Sequence, residues 1–146
     1  MHIGPAVLGA AMLIASGCGV KAEGPPAIAL DRSACSRCGM LISEPLYAAA
    51  YKTPGADARV FDDIGCLRDA ARAETGTLRL WVHDAGDRGW LDGADATFVA
   101  SSAIRSPMGG GLIAFRDPAA AEPSAALHHG RVIRSVADLL AKEGGS

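Results

Sequence analysis

Arg59-Val60-Phe61-Asp62-Asp63-Ile64-Gly65-Cys66-Leu67 is the stretch on which the fold turns. Arg59-Val60-Phe61 has the β-branched and aromatic character of a short strand. Asp62 or Asp63 then supplies a helix N-cap, because a carboxylate there accepts from amides of the first turn that have no partner within the helix. The helix so started is predicted to run to about Glu74 and to stop at Gly76, a residue that leaves a helix without a Cβ penalty. Leu78-Arg79-Leu80-Trp81-Val82 alternates in the manner of a half-buried strand. Upstream, Leu46-Tyr47-Ala48-Ala49-Ala50-Tyr51 reads as a strand ended by the turn Thr53-Pro54-Gly55. The order is ββαβ.

The same order recurs further on. Ala96 to Ala100 and Leu112 to Phe115 read as strands, Ala119 to His128 as a helix, and Arg131-Val132-Ile133 as a strand after Gly130. Phe61 and Phe115 stand 54 residues apart, as do Asp63 and Asp117, Gly76 and Gly130, and Leu78 and Val132. Matching offsets with matching element order indicate a duplicated unit. The expected class is therefore α+β. Two similar ββαβ halves, at about 35–84 and 90–135, pack together, and a short C-terminal helix capped by Ser135 follows.

With 146 residues the chain has one domain's worth of sequence, and its net charge of −2 offers no basic field for nucleic acid. Hydrophobic residues make up 49% but aromatics only 5%, so the core is built from small aliphatic side chains. A bound metal that ties loops together would add to so modest a core.

Residues 1–17 form a short apolar run with the length of a signal-peptide core, too short to span a bilayer as a helix. Its end, Leu13-Ile14-Ala15-Ser16-Gly17-Cys18, resembles a bacterial lipobox, in which the cysteine becomes the lipidated first residue. Two features depart from that pattern: no Lys or Arg precedes the apolar run, and Ala15 replaces the usual leucine. The alternative is a cleaved signal in which Cys18 is incidental. With Cys18 acylated, residues 18–30, which include Gly24-Pro25-Pro26, read as a tether to a domain at 31–146. The assignment places the protein outside the cytoplasm, anchored to a membrane through Cys18.

Cys35-Ser36-Arg37-Cys38-Gly39-Met40 puts two thiols and a thioether at one turn. Sulfur ligands select Cu(I), Zn or iron–sulfur centres over hard cations, and the thioether leans towards Cu(I) because zinc sites use Cys, His and carboxylate. Three other readings stay open here: a redox dithiol, half of a structural zinc site, or a Met40 that belongs to the core. Cys66 falls in the first turn of the helix after Asp63, where the helix terminus favours thiolate; a small residue packing the helix is the other reading. With Cys18 acylated, Cys35, Cys38 and Cys66 make an odd number of thiols, which one disulfide cannot satisfy. Met108 lies in Ser106-Pro107-Met108-Gly109-Gly110-Gly111, a loop with little to pack a core methionine against. Facing halves would let that loop bring its thioether to the cysteine turn. Asp62 and Asp63 read as cap and surface groups, or as carboxylates that orient a ligand from behind. His83, after a strand, reads as a surface histidine or as one able to reach a loop site, His128-His129 as a helix end, and Trp81 and Trp90 as core and edge aromatics. No Gly-x-Ser-x-Gly, His-Glu-x-x-His or phosphate-binding glycine loop is present.

Taken together and in this order, Cys35-x-x-Cys38-Gly39-Met40, Phe61-Asp62-Asp63-Ile64-Gly65-Cys66-Leu67 and Pro107-Met108-Gly109 with Leu112-Ile113-Ala114-Phe115 resemble the NosL lipoproteins over about residues 31–135. The resemblance implies two ββαβ halves and a periplasmic or cell-surface lipoprotein that binds Cu(I). It implies a non-enzymatic role in copper-site assembly of nitrous oxide reductase, with a copper-acceptor protein or its assembly complex as partner. The Phe-Asp-Asp-Ile-Gly-Cys segment is closer to the broader NosL-like branch, which leaves the client enzyme open. The expected ligand pool is Cys35, Cys38, Met40, Cys66 and Met108. Competing functions are an extracytoplasmic thiol–disulfide oxidoreductase using Cys35 and Cys38, and a structural zinc module.

Overall fold

The computed structural model describes residues 24–142 and builds the ββαβ order twice. The first unit comprises β1 (Ala49–Lys52), β2 (Arg59–Phe61), α1 (Ile64–Ala71) and β3 (Arg79–His83). A further strand, β4 (Trp90–Asp92), follows. The second unit comprises β5 (Thr97–Ala100), β6 (Leu112–Phe115), α2 (Pro118–Leu127) and β7 (Arg131–Ile133), and α3 (Val136–Leu140) ends the described chain. The leader at 1–17 and Cys18 lie outside the described residues. Among the described residues no helix is long and apolar enough to cross a membrane.

Each unit makes an antiparallel sheet with its first strand in the centre, in the orders β2-β1-β3-β4 and β6-β5-β7. Ala49 faces Phe61 across β1 and β2, and Thr97 faces Phe115 across β5 and β6, so the two phenylalanines are equivalent. Asp63 caps α1 and Asp117 caps α2, each accepting from the amide two residues on. Two of the four sequence offsets therefore hold, and two do not. Tyr51 pairs with Leu80 whereas Val99 pairs with Val132, which makes Leu80 rather than Leu78 the repeat equivalent of Val132. The cause is a longer link between α1 and β3. The glycines differ as well: Gly76 is left-handed at φ 100°, but after α2 that conformation falls to His129 at φ 50°.

Local chemistry also moves two boundaries. The first strand begins at Ala49, not Leu46, because Pro45–Tyr47 forms a 3-10 turn with proline at its start. Proline has no N–H to give to a central strand. β4 was not expected from the sequence; Trp90-Leu91-Asp92 is too short to show a period.

Alternation along the strands gives the second sheet two working faces. Phe98, Leu112, Ala114 and Ile133 join Phe61, Ile64, Leu67, Leu80 and Val82 in one core shared by both units. Val99, Ile113 and Phe115 turn the other way, against Ala121 and Ala125 of α2. The units are further bound by the Ala85 N–H donating to the Ala114 carbonyl at 2.7 Å. Arg72 ties α1 to α3 by donating to the carbonyls of Leu139, Leu140 and Ala141, groups that α3 leaves unpaired at its end. At the other end of the described chain, Ile28 and Leu30, within the predicted tether, line a groove with Pro45, Ala48, His83 and Trp90.

Behind β1, the Tyr51 hydroxyl donates to Glu74 at 2.6 Å and accepts from Arg59 at 2.7 Å. Burial, with the hydrogen bond to Glu74, pushes the Tyr51 phenol up to about 12. The folded state thus holds this proton where the unfolded chain, with a phenol near ~10, has lost it. Stability from this group is complete below pH ~10 and is expected to fall as pH rises towards 12. Denaturant midpoints measured across that interval, with Tyr51→Phe as the control, check this; the variant should show a flatter decline.

Candidate metal centre

The cysteine hairpin is set by backbone bonds on both sides of the turn. Ile42 donates to Ser33, Cys35 to Met40, and Gly39 back to Cys35, at 2.9, 2.8 and 3.0 Å. Gly39 takes φ 77°, a value that suits glycine and lets the chain reverse directly after Cys38. Ser36 then pins the turn to β2. Its N–H donates to the Val60 carbonyl at 2.8 Å, and its hydroxyl accepts from the Val60 N–H at 3.2 Å. Arg37 adds an ion pair with Asp69 of α1 at 3.4 Å.

This docking lays the hairpin thiols over the start of α1. The Sγ atoms of Cys35, Cys38 and Cys66 and a carboxylate oxygen of Asp62 all lie within 4.8 Å of one another. Donors bound to one ion at ~2.3 Å are at most about 4.6 Å apart, so the four sit close to a coordinating arrangement. Cys35, Cys66 and Asp62 are buried, and Cys38 is half-buried. All three cysteines are free thiols. Cys38 donates to the Asp62 carboxylate, with Sγ 3.5 Å from Oδ1.

Burial governs the electrostatics. It raises the Cys66 thiol well above its ordinary range, and the neighbouring Cys35 and Asp62 add to the rise. The helix terminus expected to favour thiolate is outweighed. Burial also raises Cys38, against an opposing hydrogen bond from the Met40 backbone. A soft metal held by these sulfurs would displace protons from the thiols.

The thioethers stand outside this buried group. Met40 is 58% exposed and Met108 46% exposed. Met108 borders a cleft of about 260 Å³ that Cys66, Arg37 and Arg68 also line. The second unit's loop thus meets the start of α1. His83 is placed elsewhere. It is buried at the end of β3, with Nδ1 2.8 Å from the Ala48 carbonyl and its ring 4.0 Å from Trp90.

Asp62 is buried among the thiols, as the orienting reading has it, rather than on the surface as the cap-and-surface reading has it. A signal was available. Of two adjacent aspartates only one can be the N-cap, and the other follows a core phenylalanine at the end of a strand.

Fold and site together define a two-unit α+β domain with a sulfur-rich pocket suited to a soft metal ion. The profile of the NosL family matches residues 26–140, and the chain belongs to that family. Its fold is similar to the crystal structure of the copper chaperone NosL from Shewanella denitrificans, with TM-score 0.63 and 23% identity. That likeness covers 75% of this chain and 94% of the other. No curated protein sequence gave a significant match.

Proposed function

We propose that the protein is a lipid-anchored, extracytoplasmic carrier of Cu(I), which it takes as cargo and hands to the assembly of a copper enzyme such as nitrous oxide reductase. The observation that carries this reading is the gathering of three thiols and one carboxylate within 4.8 Å. Membership of the NosL family and the copper chaperone of similar fold support it. Cys35, Cys38 and Cys66 hold the ion, with Met40 and Met108 at the rim as thioether ligands. Sulfur donors favour Cu(I) over hard cations. Asp62 orients Cys38 through its hydrogen bond. Exposed thioethers beside buried thiolates suit a handover in which an acceptor's ligands replace the carrier's one at a time. Cys18 supplies the membrane anchor. A third thiol, Cys66, and the Asp62 carboxylate gathered with the pair favour ion binding over a dithiol oxidoreductase, which needs two thiols alone.

An anaerobic competition titration of the reduced protein against a Cu(I) chelator, repeated with Zn(II), tests the reading. One-to-one Cu(I) binding in preference to zinc is the expected result. Affinity should also rise with pH, by about tenfold per unit for each thiol proton displaced, because Cys38 and Cys66 are neutral in the free protein at pH 7. Zinc held in preference to copper would sink the carrier reading.

A further inference from the structure

We infer that Asp63 is a positioning residue that fixes the Met108 loop of the second unit against the helix turn carrying Cys66. Its two oxygens serve different units. Oδ1 accepts from the Gly65 N–H at 2.6 Å and so caps α1. Oδ2 accepts from the Ser106 hydroxyl at 2.6 Å and from the Met108 and Gly110 amides at 3.0 and 3.3 Å. Ser106 in turn accepts from the Gly111 N–H at 2.9 Å, which extends the grip along the loop.

Capping alone does not account for this arrangement. Asp117, the equivalent residue of the second unit, caps α2 from an exposed position by accepting from Ala119 at 2.9 Å. One oxygen suffices for a cap of this kind. Asp63 is fully buried, and its second oxygen is turned to a loop more than forty residues away in sequence. Gly109 and Gly111 adopt φ 70° and 63°, which bends the loop around the carboxylate. A Cβ on Gly65 would come within 2.8 Å of the Gly110 Cα, so the loop lies directly on the first turn of α1. Met108 and Cys66 consequently border the same cleft. The consequence for copper rests on Met108 being a ligand, as proposed above; the hold on the loop does not.

The test uses full-length protein carrying Asp63→Asn or Ser106→Ala. Asparagine keeps an oxygen for the Gly65 cap but presents an amide group that cannot accept from Met108 and Gly110. Ser106→Ala leaves the cap untouched and removes the hydroxyl's bonds to Asp63 and to Gly111, which provides a second route if Asp63→Asn does not fold. In metal-free protein, hydrogen exchange at the Met108 and Gly110 amides is expected to quicken by about tenfold or more, with the β1 and β3 amides unchanged. In Cu(I) competition, each variant should weaken binding in the wild-type background and add nothing further in a Met108→Leu background. Unchanged loop exchange, or acceleration across the whole domain, would overturn the hold on the loop. Losses of affinity that multiply with Met108→Leu would overturn the positioning role. If the wild type binds no Cu(I), the carrier reading fails by itself, and exchange still decides whether Asp63 holds the loop.

Discussion

Replacing Cys66 with alanine is expected to lower Cu(I) affinity by about 100-fold or more while leaving the fold nearly intact. Loss of a group that merely orients a ligand costs roughly 10–100-fold in metal affinity, and loss of a ligand itself costs at least as much. Cys66 is the thiol supplied by α1, whereas Cys35 and Cys38 share the hairpin. In the proposed site its loss would leave only the hairpin thiols, with the Asp62 carboxylate, around the ion. Stability should change little, because alanine is a good helix former and deleting a small buried group costs about 1 kcal/mol. A chelator competition and a melting curve on the same sample separate the two effects. Unchanged affinity would mean that the hairpin and the rim methionines bind copper without α1.

Phe98→Ala is expected to be the most damaging core substitution, costing about 3–5 kcal/mol of a total that for such domains is about 5–15 kcal/mol. Phe98 is fully buried and belongs to the second sheet, yet it packs in the core shared with Phe61, Leu80 and Val82. With only three phenylalanines in the chain, few large side chains remain to close the cavity. The effect should cross from one unit to the other. Trp81 and Trp90 are both in the first sheet, so their fluorescence reports a unit to which Phe98 does not belong. Fluorescence and far-ultraviolet circular dichroism should nevertheless melt together, with the midpoint lowered by roughly 10 °C or more. A fluorescence transition that stays at the wild-type temperature would show two independently stable halves.

What could be read in advance was local in origin. The strand ends at Phe61 and Phe115 depend on neighbours within a few residues, as does the cap assigned to Asp62 or Asp63, and Phe61 and Phe115, like Asp63 and Asp117, are found in equivalent places. Gly76 and Gly130 matched in number but not in role, because a loop of different length shifts everything behind it. The thiols were visible as chemistry wherever they fell. Asp62 was not, because what separates a buried carboxylate from a surface one here is the docking of a hairpin more than twenty residues away. The second function of Asp63 was hidden for the same reason: Ser106 and Gly110 meet it only after the two units pack. His83 was read as a surface group because nothing near it in sequence predicts the Ala48 carbonyl.

The bonds between Ser36 and Val60 also have a colloidal meaning. β2 forms the outer margin of the first sheet, and an unshielded margin invites a neighbouring molecule to add its own strand. The Val60 amide and carbonyl that such a neighbour would seek are already engaged by Ser36. The hairpin that carries Cys35 and Cys38 thus also guards the sheet against aggregation, and a chain whose hairpin has come away would lose its thiol cluster and its shielded margin at once.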